Sequence, residues 1–188
     1  MTTRHLNPDA IRLEESFFAE ENAKLLEKLR KEARTRERRV ALKAALRIDD
    51  EDVIDALVEL DLYPETVVAF GLVPLVEVAW ADGIIESKER EAILRAAHER
   101  GIKDGSTTCR LLENWLDRKP APEMLVTWKV YVRTIAAQMP VDRRLLLKAG
   151  ILAQAREIAE AAGGFLGFGS KVSEVEEKVL SDLASAFE

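Results

Sequence analysis

Cysteine and histidine are scarce in this chain. A single cysteine, Cys109, excludes an internal disulfide and a cysteine-built zinc or iron–sulfur site. Two histidines, His5 and His98, leave little for a histidine-ligated metal. No apolar run approaches the roughly 18–20 residues that a membrane-spanning helix needs. The opening residues, Met1 to Pro8, hold no apolar export signal, so the expected location is the cytoplasm. Aromatics make up only 6% of the residues, and six prolines and nine glycines fall where they punctuate helices rather than β-turns.

Apolar residues supply 47% of the 188 positions and charged residues 33%. That is enough apolar material for a core, in one domain or one domain with an arm. The charge is uneven. Residues 24–47 carry ten Lys/Arg against Glu27, Glu32 and Glu37, a net of +7. Residues 1–23 carry a net of −3, and residues 48–188, with sixteen bases and twenty-six acids, a net of −10. An acidic body therefore carries a basic segment that can dock on it or recruit a different partner.

Helix signals run along the whole chain. Asn7 and Pro8 start a helix, and no Gly or Pro interrupts the Ala, Leu, Glu, Lys and Arg that follow to Arg47. The stretch is one long helix or two joined near Thr35. Asp49 or Asp50 caps a short helix through Leu60. Pro64 opens a helix to Ala79 that is apolar nearly all round and therefore central, with Gly71 and Pro74 set to kink or split it. Helices over 86–100, 106–118, 120–139, 140–162 and 173–187 follow. The expected fold is an all-α bundle of about eight helices. Its charged N-terminal helical region covers residues 1–61 and its bundle residues 62–188. Residues 126–132 alternate weakly but lie within a longer helical pattern.

One repeat organises the bundle. Glu77-Val-Ala-Trp-Ala-Asp-Gly83 matches Glu157-Ile-Ala-Glu-Ala-Ala-Gly163 at an offset of 80. After the glycine, Ile85 to Glu89 matches Val172 to Glu176 at an offset of 87, so the second copy holds a seven-residue insertion. Each copy reads as an apolar helix, a glycine turn, one β-branched core plug (Ile85 or Val172) and a helix whose opening acid or Ser is followed three residues on by Glu. Ser173 with Glu176 is a capping box. Two such hairpins are expected to pack on each other.

The run from Ala79 to Leu94, with small residues, Asp82-Gly83, an apolar residue and then Glu before a helix, resembles the signature of the tellurite-resistance TerB-like family. That family includes the N-terminal domain of membrane-bound DnaJ-like co-chaperones. The resemblance covers roughly residues 62–187. It implies a helical bundle with this element twice, and a non-enzymatic interaction or scaffold module of a bacterial stress-response system with protein partners. The second copy departs from the pattern, with Ala162 in place of the acid.

Asp82, Gly83, Ile85 and Glu89 also fit positions five, six, eight and twelve of an EF-hand loop. Positions one and three fall on Val78 and Trp80, which offer no side-chain oxygen. Two readings follow. In the first, Asp82 accepts backbone N–H groups in the turn, Gly83 takes a positive φ, and Glu86 and Glu89 favour the helix N-terminus. In the second, Asp82, Glu86 and Glu89 form a weak divalent-metal site for calcium or magnesium, a property the TerB-like resemblance also implies. No other cofactor is expected.

Other candidates read as structural. The segment from Gly164 to Lys171 misses a phosphate-binding loop, because Ser170 precedes Lys171 and a helix precedes the loop. It reads as an apolar plug or an exposed lip for a partner or membrane surface. His98 is expected to meet helix-terminal carbonyls. Cys109 reads as half-buried filling, and Trp80, Trp115 and Trp128 as core. With no catalytic constellation, an enzyme is not expected. A third function class is nucleic-acid or anionic-membrane binding through residues 28–47. The glutamates and missing aromatics of that run favour a solvated helix or one docked on the acidic body.

Overall fold

The computed structural model describes residues 8–162 and 172–188, with side chains described from residue 20 onward except at 162. Helix α1 (Pro8–Leu46) is one continuous helix of 39 residues. Nothing in its sequence stops it before Arg47, which takes φ +55. That left-handed residue ends the helix where neither glycine nor proline is present. Asp50 then caps α2 (Glu51–Glu59), its carboxylate accepting the Val53 N–H at 3.1 Å.

Pro64 begins a turn rather than a helix. The Thr66 hydroxyl accepts the Tyr63 N–H at 3.0 Å, and α3 (Val67–Phe70) starts one residue later. Gly71 and Pro74 split the expected long helix, and α4 (Val73–Ala79) follows with all seven residues buried. Next come α5 (Ser87–Glu99), α6 (Thr107–Asp117), α7 (Pro122–Ala137), α8 (Val141–Ala162) and α9 (Glu174–Ser185). Residues 126–132 lie inside α7 and are helical. The fold is all-α, with nine helices and no strand among the described residues.

Helices α4 and α8 pack on each other at the centre. Helix α5 packs on both, and so does α9. The hairpins α4–α5 and α8–α9 thus lie against one another with corresponding helices in corresponding places. Around them, α7 bridges α4 and α2, α6 covers α3, and α1 rests on α2. One buried core joins these layers, from Leu42, Val53, Ile54 and Leu57 through Leu75, Val76 and Ile93 to Leu180 and Leu183. It draws on residues from both sides of position 61. Trp128 lies edge-on to Phe187 with ring centres 6.5 Å apart, and Phe70 meets Tyr131 the same way at 5.6 Å. Each such pair adds about 0.5–1.5 kcal/mol beyond the burial of its rings.

Candidate functional site

The acidic turn between α4 and α5 is built by its own backbone. Gly83 takes φ +91, which a side chain would resist. The Asp82 carboxylate accepts the Ile84 N–H at 3.0 Å, closing the turn. Glu86 and Glu89 form a capping box at the start of α5, with the Glu89 carboxylate accepting the Glu86 N–H at 2.8 Å. Half-buried Trp80, at the end of α4, donates its indole N–H to the Trp115 carbonyl at 2.8 Å and ties the turn to the last residues of α6.

The three acidic residues differ in environment. Asp82 and Glu86 are exposed, whereas Glu89 is 3% exposed. Burial pushes the Glu89 carboxyl up from its ordinary 4.5 to about 7, and the charges of Glu176, Asp82 and Glu86 push it the same way. The bond from the Glu86 N–H works against the shift. Glu176, the Glu89 counterpart in the second copy, is also buried, and its carboxylate accepts the Ser173 N–H at 2.6 Å. The Ser173 hydroxyl accepts the Glu176 N–H at 3.2 Å, completing a second capping box. The core plugs behave as their positions require. Val172 is buried, and Ile85 is half-buried against the core. The second turn, with Gly163 and the insertion up to Lys171, lies outside the described residues. Among the described residues, no group of three or more His, Cys, Asp or Glu is arranged to hold a metal ion.

Glu77 is a further buried carboxyl on α4. Burial raises its pKa, while the charges of Lys119 and Lys129 lower it and that of Asp182 raises it. Lys129 pairs with Asp182 of α9. Its counterpart Glu157 is exposed and lines, with Arg95 and Gln154, a cavity of about 220 Å³ between α5 and α8. Two equivalent glutamates therefore sit in unlike surroundings.

The potential reactive groups are engaged elsewhere. Cys109 is buried at the start of α6, and burial pushes its thiol pKa up, away from the thiolate. His98 is exposed and bonds to Asp104 at 2.6 Å instead of a terminal carbonyl. Arg100 takes the carbonyl role, donating to the Ala96 oxygen at 3.1 Å. Trp115 and Trp128 are core residues.

The basic segment divides in two. Its C-terminal part docks on α2 and the turn after it. Arg38 reaches Asp61 at 2.7 Å and stacks over the Tyr63 ring at 3.7 Å, while Arg39 pairs with Glu51 and Asp55, and Lys43 with Glu51. The bond from Lys43, then that from Arg39, holds the Glu51 carboxyl below its ordinary range. The N-terminal part stands clear of the body. Every residue from 20 to 34 is exposed. Leu25, Leu26 and Leu29 are each more than half exposed. Reading charge alone along this stretch hides these leucines. Their spacing of three and four is the signal that finds them, once no packing element is assigned to that face.

No protein-family model, curated protein or solved structure matches the chain.

Proposed function

We propose that the chain works as a non-enzymatic helical interaction module of the TerB-like kind, in which the bundle is the scaffold and α1 carries the recognition surface. The observation that supports this reading is the exposure of α1 from residue 20 to 34, with Leu25, Leu26 and Leu29 open to solvent. A helix held at one end, with an apolar stripe on its free part, has the form of a helical binding element. Its mount is firm, because Leu42 is fully buried and Arg38, Arg39 and Lys43 hold acids of the body. The engagement of Cys109, His98 and Glu89 in packing, a loop bond and a helix cap supports the non-enzymatic part of the reading. A role in a bacterial stress-response system rests on the resemblance over residues 79–94.

The test is affinity capture from the native host. Full-length chain and its Leu25→Glu/Leu29→Glu variant serve as baits, with mass spectrometry of what each retains. The expected result is a protein held by the first and lost from the second. Identical sets on both baits would remove the arm from the reading.

A further inference from the structure

Three features of α1 bear on what covers its free part. The first is the continuity of the apolar stripe. Leu25 and Leu29 are four residues apart, and Leu26, Ala33 and Val40 follow one another at steps of seven, so all five share one side of the helix. Val40 is 65% exposed, while Leu42, two residues on, is fully buried. The stripe and the face that meets the body therefore point in different directions, and a second helix can run along the stripe past the mount of the arm. In the sequence, Ile11 and Phe18 precede Leu25 at the same seven-residue step.

The second feature is length. Thirty-nine residues at about 1.5 Å each make a helix about 58 Å long. Its described contacts fall on α2 and the turn that follows, and every residue from 20 to 34 is exposed, so that stretch has no support from the body. An isolated helix with its leucines in water is marginal, and pairing is the usual remedy.

The third is charge. Residues 8–27 contain Asp9, Glu14, Glu15, Glu20, Glu21 and Glu27 against Arg12 and Lys24, a net of −4. Residues 28–46 contain Lys28, Arg30, Lys31, Arg34, Arg36, Arg38, Arg39 and Lys43 against Glu32 and Glu37, a net of +6. A second copy laid parallel sets like charge on like along both halves. Laid antiparallel, it sets each acidic half on a basic half. The helix is complementary to its own reverse.

We infer that the occupant of the α1 stripe is a second copy of this chain, in an antiparallel two-helix pair centred near Glu27. Leu25 of each copy meets Leu29 of the other, and Asn22 of one copy faces Glu32 of the other, on the stripe's side of the helix. The interface is isologous and closes at two chains. The two bundles project from opposite ends of the pair, held apart by the length of the arms. This inference rests on the reading of α1 as the interaction surface and names its partner.

The experiment uses the purified full-length chain at tens of micromolar in sedimentation velocity, with light scattering for mass. The expected mass is twice that of the chain, and the dimer weakens as salt rises, because exposed charge pairs are screened. Leu25→Glu/Leu29→Glu is expected to halve the mass and leave the melting of the bundle unchanged, since neither residue touches the core. Orientation is read by oxidative cross-linking of full-length variants, with buried Cys109 left in place. Asn22→Cys mixed with Glu32→Cys is expected to cross-link, and either alone is not. Self-linking by Asn22→Cys alone indicates a parallel pair and overturns the inference. So does a monomer at these concentrations, including one that sediments with vesicles containing anionic lipid. A monomeric chain whose leucine variant still loses a host protein sinks the dimer and leaves the interaction module standing. Failure of both experiments removes both.

Discussion

Glu89 and Glu176 occupy the same place in two different hairpins. Each is the third residue of its helix, each is buried, and each accepts the N–H of the residue three positions earlier. The duplication therefore places a second buried carboxyl, Glu176, where its charge adds to the rise in the Glu89 pKa.

The raised Glu89 pKa, caused first by burial, has a pH signature. In the unfolded chain Glu89 loses its proton near its ordinary 4.5, and in the folded chain near 7. Between those values the folded state binds the extra proton, so stability falls as pH rises from about 4.5 to about 7 and levels off above that. Glu89→Gln keeps the carbonyl acceptor that the capping box uses and removes the charge. The variant is expected to gain on the native chain as pH rises, by about 1–2 kcal/mol at pH 8 after allowance for solvent screening. Thermal melts of both proteins from pH 4.5 to 8 check this. Parallel curves across that range would show that the Glu89 charge is not strained.

Gly83 tests the turn itself. Its φ of +91 is strained for an L side chain, yet a Cβ there meets no atom within 4 Å. The penalty for Gly83→Val is therefore one of backbone conformation alone, about 1–3 kcal/mol, and steric clash adds nothing. A lowered melting temperature with native helix content is expected. An unchanged melting temperature means the turn does not need the left-handed residue.

Divalent metal is the third test. The Asp82 and Glu89 carboxylates each already accept a backbone N–H, and Glu89 is still about half protonated near pH 7. Calcium or magnesium at millimolar concentration is expected to leave the melting temperature in place at neutral pH. An upward shift that disappears in Asp82→Asn and in Glu86→Gln would assign the turn a metal after all.

Local chemistry explains which elements were legible in the sequence. Capping at Ser173 and Glu176, the positive φ at Gly83 and the buried α4 all follow from residues within a few positions of one another. The ambiguous places are those where neighbours compete. Asp50, not Asp49, caps α2, because its carboxylate reaches the Val53 N–H. Pro64 opens a turn, in which the Thr66 hydroxyl accepts the Tyr63 N–H while the Tyr63 carbonyl accepts the Thr66 and Val67 N–H groups. Thr35 does not interrupt α1, and the helix stops at Arg47 without glycine or proline to mark the place.

By itself the sequence determined the helices, their caps and the repeated hairpin, because a hydrogen-bonding side chain or a glycine acts on backbone close to it. Tertiary structure decided what lies opposite what. Arg38, Arg39 and Lys43 find acids from eight to twenty-three residues away, while Lys28, Arg30 and Lys31, of the same composition, stay in water. Charge and apolar content along a chain do not say where the body ends. Burial depends on the position of α2 against α1, and that position fixes where the packed helix stops and the free arm begins.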